Sequence, residues 1–368
     1  MARLPQGVRR RKDGTLEKRF TVNRVRYSVY AGNAKELAEK EQELRNQIKA
    51  GTYTKNRSIT LDKYFGEWIE RRKRNVKSNT IYIYTTCYNT NIKPYLGSKR
   101  IVDIERREII ELQGVLSEKL SPTSTNYMIV LLNIIFNDAI TDEIITRNPA
   151  KKIKGIKEDK KANESYHRAL TKQEQADFMQ ALKGSYYYTF IAFMLSTGMR
   201  VGEVGALTWQ DIDYKNNVIH VNKTITKNEN GYNIKGDSTK TDAGERDIPL
   251  NDTIKGILLE HKKTSDILPF LTNNIFTTTR GNMIHCDHIN KEIKYVLREL
   301  DQAGKHIEPF TSHALRDTFA TRFIEQGGSM QTLKTILGHN SITMTMDLYA
   351  HVLPDTKQAE MDMIKICI

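Results

Sequence analysis

Two arginines, two histidines, a lysine and a tyrosine are spaced along the carboxyl half of this sequence in a way that suits chemistry on a phosphodiester. In STGMRVGEVGAL, Gly198 is expected to break one helix so that Arg200 and Glu203 share a face of the next turn, where the carboxylate can fix the guanidinium. In TSHALRDTFAT, His313 and Arg316 have the same three-residue spacing and project together. Two such guanidinium forks can hold the non-bridging oxygens of one phosphodiester and neutralise the charge that builds as phosphorus becomes pentacoordinate. Taken singly, Arg-x-x-Glu on a helix is an ordinary ion pair. Only the combination points to a site.

The combination continues in LGHNSITMTMDLYAHV. Gly338-His339 is read as preceding a helix capped by Asn340 or Ser341, which sets His339 beside a positive helix terminus suited to phosphate. Tyr349 follows ten residues after His339. A phenol with a pKa of about 10 is a poor nucleophile at neutral pH, so it needs a nearby base and a cationic pocket that favours phenolate. His313 is the candidate base. The leaving oxygen needs a proton, and GDSTKTDAGERDIPL supplies Lys240 where a hairpin turns at Ala243-Gly244. From position alone, Lys240 is as well read as solvated surface.

These residues need elements to hold them. From about residue 165 onward the pattern is mixed. Helices are predicted at 171–182, 187–195, 201–207, 288–300, 313–326, 330–337 and 341–349, with strands at 218–223, 232–234 and 246–249. Residues 58–150 carry helical periodicity without a convincing strand, opened by Thr60-Leu61, Ser78-Asn79 and Ser121-Pro122, and read as a bundle of four or five helices. The first fifty residues read as three strands and a helix capped by Asn33. The fold class is therefore multidomain: an α+β amino-terminal domain, an all-α bundle, and a mixed, mainly α domain with a small antiparallel sheet. Boundaries are drawn at 1–54, 58–150, a basic linker at 151–164, and 165–368.

The net charge of +13 on 368 residues points to a polyanionic partner. Residues 1–30 hold nine Lys/Arg against two acids. Their strands interleave Arg9, Arg10, Arg11, Lys18, Arg19, Arg24, Arg26 and Tyr27, a ribbon of a width that enters a major groove. Arg71, Arg72, Lys73 and Arg74 are candidate phosphate contacts in the bundle, as are Lys151, Lys152 and Lys154 in the linker, though a charge run is also simply a solvated face. Three cysteines, widely separated, draw neither a disulfide framework nor a CxxC pair and fit a reducing compartment. His285-Cys286-Asp287-His288 resembles a metal cluster in composition, but adjacent residues are expected not to converge on one ion. No window is long and apolar enough for a membrane helix, and the basic start has no apolar stretch behind it, so the cytosol is expected.

The order Arg200, Lys240, His313-x-x-Arg316, Leu337-Gly338-His339 and Tyr349 resembles the tyrosine recombinase, or phage integrase, family. The bundle at 58–150 resembles that family's core-DNA-binding domain. The basic sheet and helix at the amino end resemble the arm-site-binding domain of integrases from conjugative transposons and temperate phages of low-GC bacteria. The resemblance implies that Arg200 and Arg316 bind the scissile phosphate, Lys240 protonates the leaving hydroxyl, His313 assists proton transfer at the tyrosine, and His339 hydrogen-bonds the phosphate. Tyr349 would form the 3′-phosphotyrosyl link, with Glu203 supporting Arg200. It further implies a tetramer on double-stranded DNA at core and arm sites, an excision factor or DNA-bending protein as accessory, and no cofactor or metal, because the phosphotyrosine conserves the bond energy. In this family a tail such as 356–368 often docks on a neighbouring protomer, and docking back on its own core is the equal alternative from the sequence. Two other readings stay open: a type IB-like topoisomerase, and a non-catalytic architectural DNA-binding protein. A metal-dependent transposase or nuclease lacks a distinctive acidic cluster.

Overall fold

The structure, a computed structural model, describes residues 7–22, 25–50, 58–157, 168–236, 244–265 and 273–343. The chain divides into two compact units, residues 1–157 and 158–368. None of the described helices is long and apolar enough to cross a membrane.

In the first unit, β1 (Val8–Arg10), β2 (Leu16–Val22) and β3 (Val25–Ala31) form an antiparallel sheet in the order β1-β2-β3. One face packs on α1 (Ala34–Lys49), where Leu16, Phe20 and Val29 meet Leu37, Leu44 and Ile48. The Asn33 side chain caps α1 by accepting from the Glu36 backbone N–H at 2.9 Å, as its sequence position predicts.

The helical part of this unit comprises α2 (Leu61–Arg72), α3 (Ser78–Cys87), α4 (Lys93–Leu96), α5 (Arg106–Ser117) and α6 (Pro122–Thr141), with a π-helical turn at Tyr88–Ile92. Thr60 and Ser121 cap α2 and α6 through their hydroxyls. Helix α5 carries a signal that the sequence reading passed over, the reciprocal capping of Glu105 and Glu108. Trp68, Tyr64, Tyr88 and Phe136 are all fully buried, so the aromatics at helical spacing are core.

The second unit carries α7 (Lys172–Ala181), α8 (Tyr188–Thr197), α9 (Val201–Ala206), α10 (Asp252–Ser265), α11 (Cys286–Gln302), α12 (Ser312–Glu325) and α13 (Met330–Leu337). Strands β4 (Ile212–Asp213), β5 (Val218–Val221) and β8 (Arg246–Pro249) make one antiparallel sheet. A separate hairpin pairs β6 (Thr224–Lys227) with β7 (Asn233–Gly236). The sequence reading had no helix at 252–265. Its start is written in Asn251, whose side chain accepts from the Ile254 N–H at 2.9 Å, and Ile254, Leu258 and His261 then repeat at helical spacing into the core.

Candidate active site

Helix α8 ends on Gly198, which adopts φ +65 and turns the chain sharply into Arg200. A side chain could not replace that glycine, because a Cβ there would lie 2.3 Å from the Phe319 ring. The turn makes Arg200 the residue that precedes α9, so its side chain stays partly open while Glu203, one turn on, is buried at 3% exposure. Glu203 accepts from the Arg200 backbone N–H and from its guanidinium, both at 2.9 Å. The same two carboxylate oxygens also accept from Arg246, at 2.8 Å and 3.3 Å. Burial opposes the charge on Glu203, but the hydrogen bonds and charge of Arg246 and the charge of Arg200 outweigh it, so its carboxyl lies below the ordinary carboxylate range.

Arg316, on the second turn of α12, is buried at 5% exposure and donates to two backbone carbonyls: Gly198 O at 2.8 Å and Leu337 O at 2.5 Å. Burial and the neighbouring Arg200 charge pull its pKa down to about 9, which leaves it cationic at neutral pH. Leu337 closes α13, and the chain leaves through Gly338 at φ +67. There the Gly338 N–H donates to Thr335 O and the His339 N–H to Lys334 O, both at 3.1 Å, a Schellman ending. His339 therefore occupies the carboxyl end of α13, a position the sequence reading described only as the approach to a following helix. That following element begins with the Ser341 hydroxyl accepting from the Thr343 N–H at 3.1 Å. His339 is half-buried, and burial together with the charges of Arg316, Arg200 and Arg246 pushes its pKa down to about 4, so the imidazole is neutral at pH 7.

The structure thus gathers Arg200, Glu203, Arg316 and His339. His313 sits exposed on the first turn of α12, three residues before Arg316. Lys240 and Tyr349 lie outside the described residues, as do Arg24 and the tail at 356–368. Sequence reasoning missed Arg246. The available signal was the alternation of β8, in which Arg246 and Ile248 are both buried and Asp247 and Pro249 both exposed.

The basic residues of the first unit divide by sheet register. Arg9 pairs with Glu17, which in turn pairs with Tyr30, Arg19 pairs with Ser28, and Arg26 with Thr21, all on the face away from α1. On that face Glu17 is 2% exposed beneath Arg19 and Arg11, with nitrogen–oxygen separations of 2.7 Å and 3.5 Å, and Arg11 also lies over the Tyr30 ring. Arg10 and Lys18 align with the opposite face. Lys18 pairs there with Glu41 at 2.5 Å, and Tyr27 stacks on Phe20 within the core. In the helical part, Arg71 and Arg72 are paired with Asp142 and Asp138 of the α6 end, both at 2.5 Å, and Lys73 with Glu70 at 2.8 Å, while Arg74 is exposed. Residues 151–157 are held to this unit: Arg106 donates to the carbonyls of Lys151 and Lys152, Gln113 to that of Lys154, and Asn126 to that of Ile156. The Lys151, Lys152 and Lys154 side chains remain exposed.

His285, Cys286 and Asp287 do bring one donor atom each within 4.8 Å of one another, so adjacency does not keep them apart. The Cys286 sulfur, however, lies 3.3 Å from His285 Nδ1 and 3.7 Å from Nε2, nearly equidistant from the two ring nitrogens. That puts it over the ring rather than beyond the Nδ1 lone pair, which is not how an ion shared by the two would be held. His288 Nδ1 is occupied, accepting from the His285 N–H at 3.1 Å.

Comparison with known proteins gives a consistent picture. The profile of the phage integrase family matches residues 168–355, and that of the phage integrase N-terminal SAM-like domain matches residues 60–117. A tyrosine recombinase XerC-like protein of Caldanaerobacter subterraneus subsp. tengcongensis is 27% identical over 361 residues, spanning 90% of each chain. The ICEBs1 integrase of Bacillus subtilis is 26% identical over 351 residues, spanning 93% of this chain and 92% of its own. Among solved structures, the Tn1549 transposon integrase in complex with transposon right end DNA aligns at a TM-score of 0.68 and 26% identity, over 83% of this chain and 99% of that one.

Proposed function

The chain belongs to the phage integrase family, and from that membership and the pocket around His339 we infer that it is a site-specific DNA recombinase that integrates and excises a mobile element. The supporting observation is the convergence of Arg200, Arg246 and Arg316, from stretches far apart in sequence, on one neutral imidazole beside a helix end.

In this reading Arg200 and Arg316 each turn donors toward the two non-bridging oxygens of the scissile phosphate, and the neutral His339 adds one N–H. The Tyr349 phenolic oxygen attacks phosphorus, giving its proton to His313. The P–O5′ bond breaks in line with the attack, and Lys240 supplies the proton that makes the leaving group a 5′-hydroxyl. The strand's 3′ end is then a phosphotyrosyl ester. A 5′-hydroxyl from the partner duplex attacks it, and Tyr349 leaves with its proton restored. One ester is exchanged for another at each step, so the residues need no energy source.

Arg9, Arg11, Arg19 and Arg26 on the open sheet face contact arm-site DNA, and the helical domain with the exposed Lys151, Lys152 and Lys154 contacts the core site. Four copies assemble on paired duplexes, assisted by an excision factor or DNA-bending protein, in the cytoplasm.

The test uses duplexes from the DNA flanking the coding region, each nicked beside the cleavage position so that the leaving fragment diffuses away. The unsubstituted protein should be trapped covalently, and Tyr349→Phe should abolish trapping while binding persists. Sequence-independent relaxation of a supercoiled circle would instead identify a topoisomerase. Binding without trapping by the unsubstituted chain would identify an architectural protein.

A further inference from the structure

We propose that Arg246 is a positioning residue for strand cleavage, holding Glu203, and through it Arg200, in the geometry that receives the scissile phosphate. The proposal rests on the recombinase reading above and assigns a role to a residue outside the six that perform its chemistry.

Arg246 is buried, and its side chain reaches three different segments at once. Nη2 and Nη1 donate to the two oxygens of Glu203 at 2.8 Å and 3.3 Å, Nη1 donates to Gly244 O at 3.0 Å, and Nε donates to Ile336 O at 2.5 Å. The first contact engages both oxygens of the carboxylate that also fixes Arg200. The second holds Gly244, at the start of the strand that carries Arg246 itself. The third lies one residue from the Leu337 carbonyl that Arg316 uses, at the helix end from which His339 projects. One guanidinium thus ties together the mounts of Arg200, Arg316 and His339.

Stability alone does not account for an arginine here. Its position on β8 faces the core, opposite Val221 and in step with Ile248. Apolar residues of similar volume often serve a core as well as a buried ion pair does. Geometry accounts for it better: Glu203 takes hydrogen bonds from the Arg200 backbone and guanidinium, and without Arg246 it would be free to turn toward Arg200 and draw it off the phosphate.

The experiment compares Arg246→Gln and Arg246→Lys with the unsubstituted chain in single-turnover cleavage of two nicked duplexes. One has an ordinary scissile phosphodiester; the other has a neutral methylphosphonate, which needs far less charge neutralisation from Arg200. Arg246→Gln should slow phosphodiester cleavage about 10²-fold and methylphosphonate cleavage less than about threefold, with duplex affinity nearly unchanged. In an Arg200→Ala background the same substitution should add less than about twofold, because its effect passes through Arg200. Arg246→Lys keeps the charge beside Glu203 but cannot span all three contacts, and should fall between; it also serves if the glutamine variant does not fold. Full cleavage by both variants, an equal loss on both duplexes, or additivity with Arg200→Ala would overturn the proposal. Failure of the unsubstituted chain to form any adduct would instead overturn the recombinase reading, and this role with it.

Discussion

A carboxylate sunk beneath arginines occurs at both Glu203 and Glu17 among the described residues, in surroundings that give it opposite consequences. At Glu203 the acid and its Arg246 partner are both about 3% exposed. At Glu17 the acid is 2% exposed, but the arginines over it, Arg11 and Arg19, are 46% and 53% exposed. In the first case neither charge has water to fall back on, so the geometry is fixed and the loss of either partner strands the other. In the second, solvent screens the pairs and the acid does no more than fan the arginines across an open surface. On the function proposed above, a site that holds one phosphorus to a fraction of an ångström would use the buried version, and a surface that adapts to the length of a duplex the exposed one.

The sharpest way to break this contrast is to remove a cation from each region and compare what fails. Arg316→Ala should slow single-turnover strand cleavage about 10³-fold while reducing duplex affinity far less. A binding defect that matched the cleavage defect would place the pocket in the same class as the open sheet. Next in size is Glu203→Gln, which leaves Arg246 buried beside a neutral amide and should destabilise the fold by about 3 kcal/mol in urea at pH 7. Because the folded carboxyl titrates below its unfolded range, its contribution is complete above about pH 4.3 and is lost as pH falls through the folded value. The stability curves of variant and unsubstituted protein should therefore converge toward pH 3, and parallel curves would remove the charge from the explanation.

On the sheet, Arg11→Ala with Arg19→Ala should weaken arm-site binding about tenfold at moderate salt and lower the slope of log affinity against log salt by about 1.8. Cleavage of a saturating core duplex should be unchanged. A slower chemical step in that double variant would mean the two regions are coupled in a way the contrast denies. The smallest effect belongs to His339. With a folded pKa of about 4 against about 6.5 unfolded, the unfolded chain takes up a proton first as pH falls between those values. Stability should therefore decline across that window, and His339→Gln should decline less. Equal declines, measured as urea midpoints at pH 7 and pH 5, would show that the imidazole is not held neutral.

How much of this could be read from the chain alone depended on how local each cause was. Caps at Asn33, Thr60 and Ser121 and the Arg200/Glu203 pair are settled within four residues, so the sequence carries them in full. The basic strands were legible as strands, but not which side chain faces where. A period of two puts Arg19 and Lys18 on opposite faces, and only the helix position decides which face is covered. Arg71 and Arg72 looked like free cations because Asp142 and Asp138 lie 71 and 66 residues away. Arg246 was lost for the related reason that its partners come from three separate stretches, while locally it is one more charge between Glu245 and Asp247. That His285, Cys286 and Asp287 bring donor atoms within 4.8 Å of one another depends on side-chain rotamers at the start of α11, which spacing alone does not give.

The end of α13 carries one more implication. Both deeply buried arginines reach it through main-chain oxygens, at Ile336 and Leu337, and no side chain of that helix takes part in those bonds. What the pocket reads there is a path of peptide groups, so the identities at 336 and 337 are free to drift among residues that fill the same apolar space. Gly338, whose backbone angle sets that path, has no such freedom.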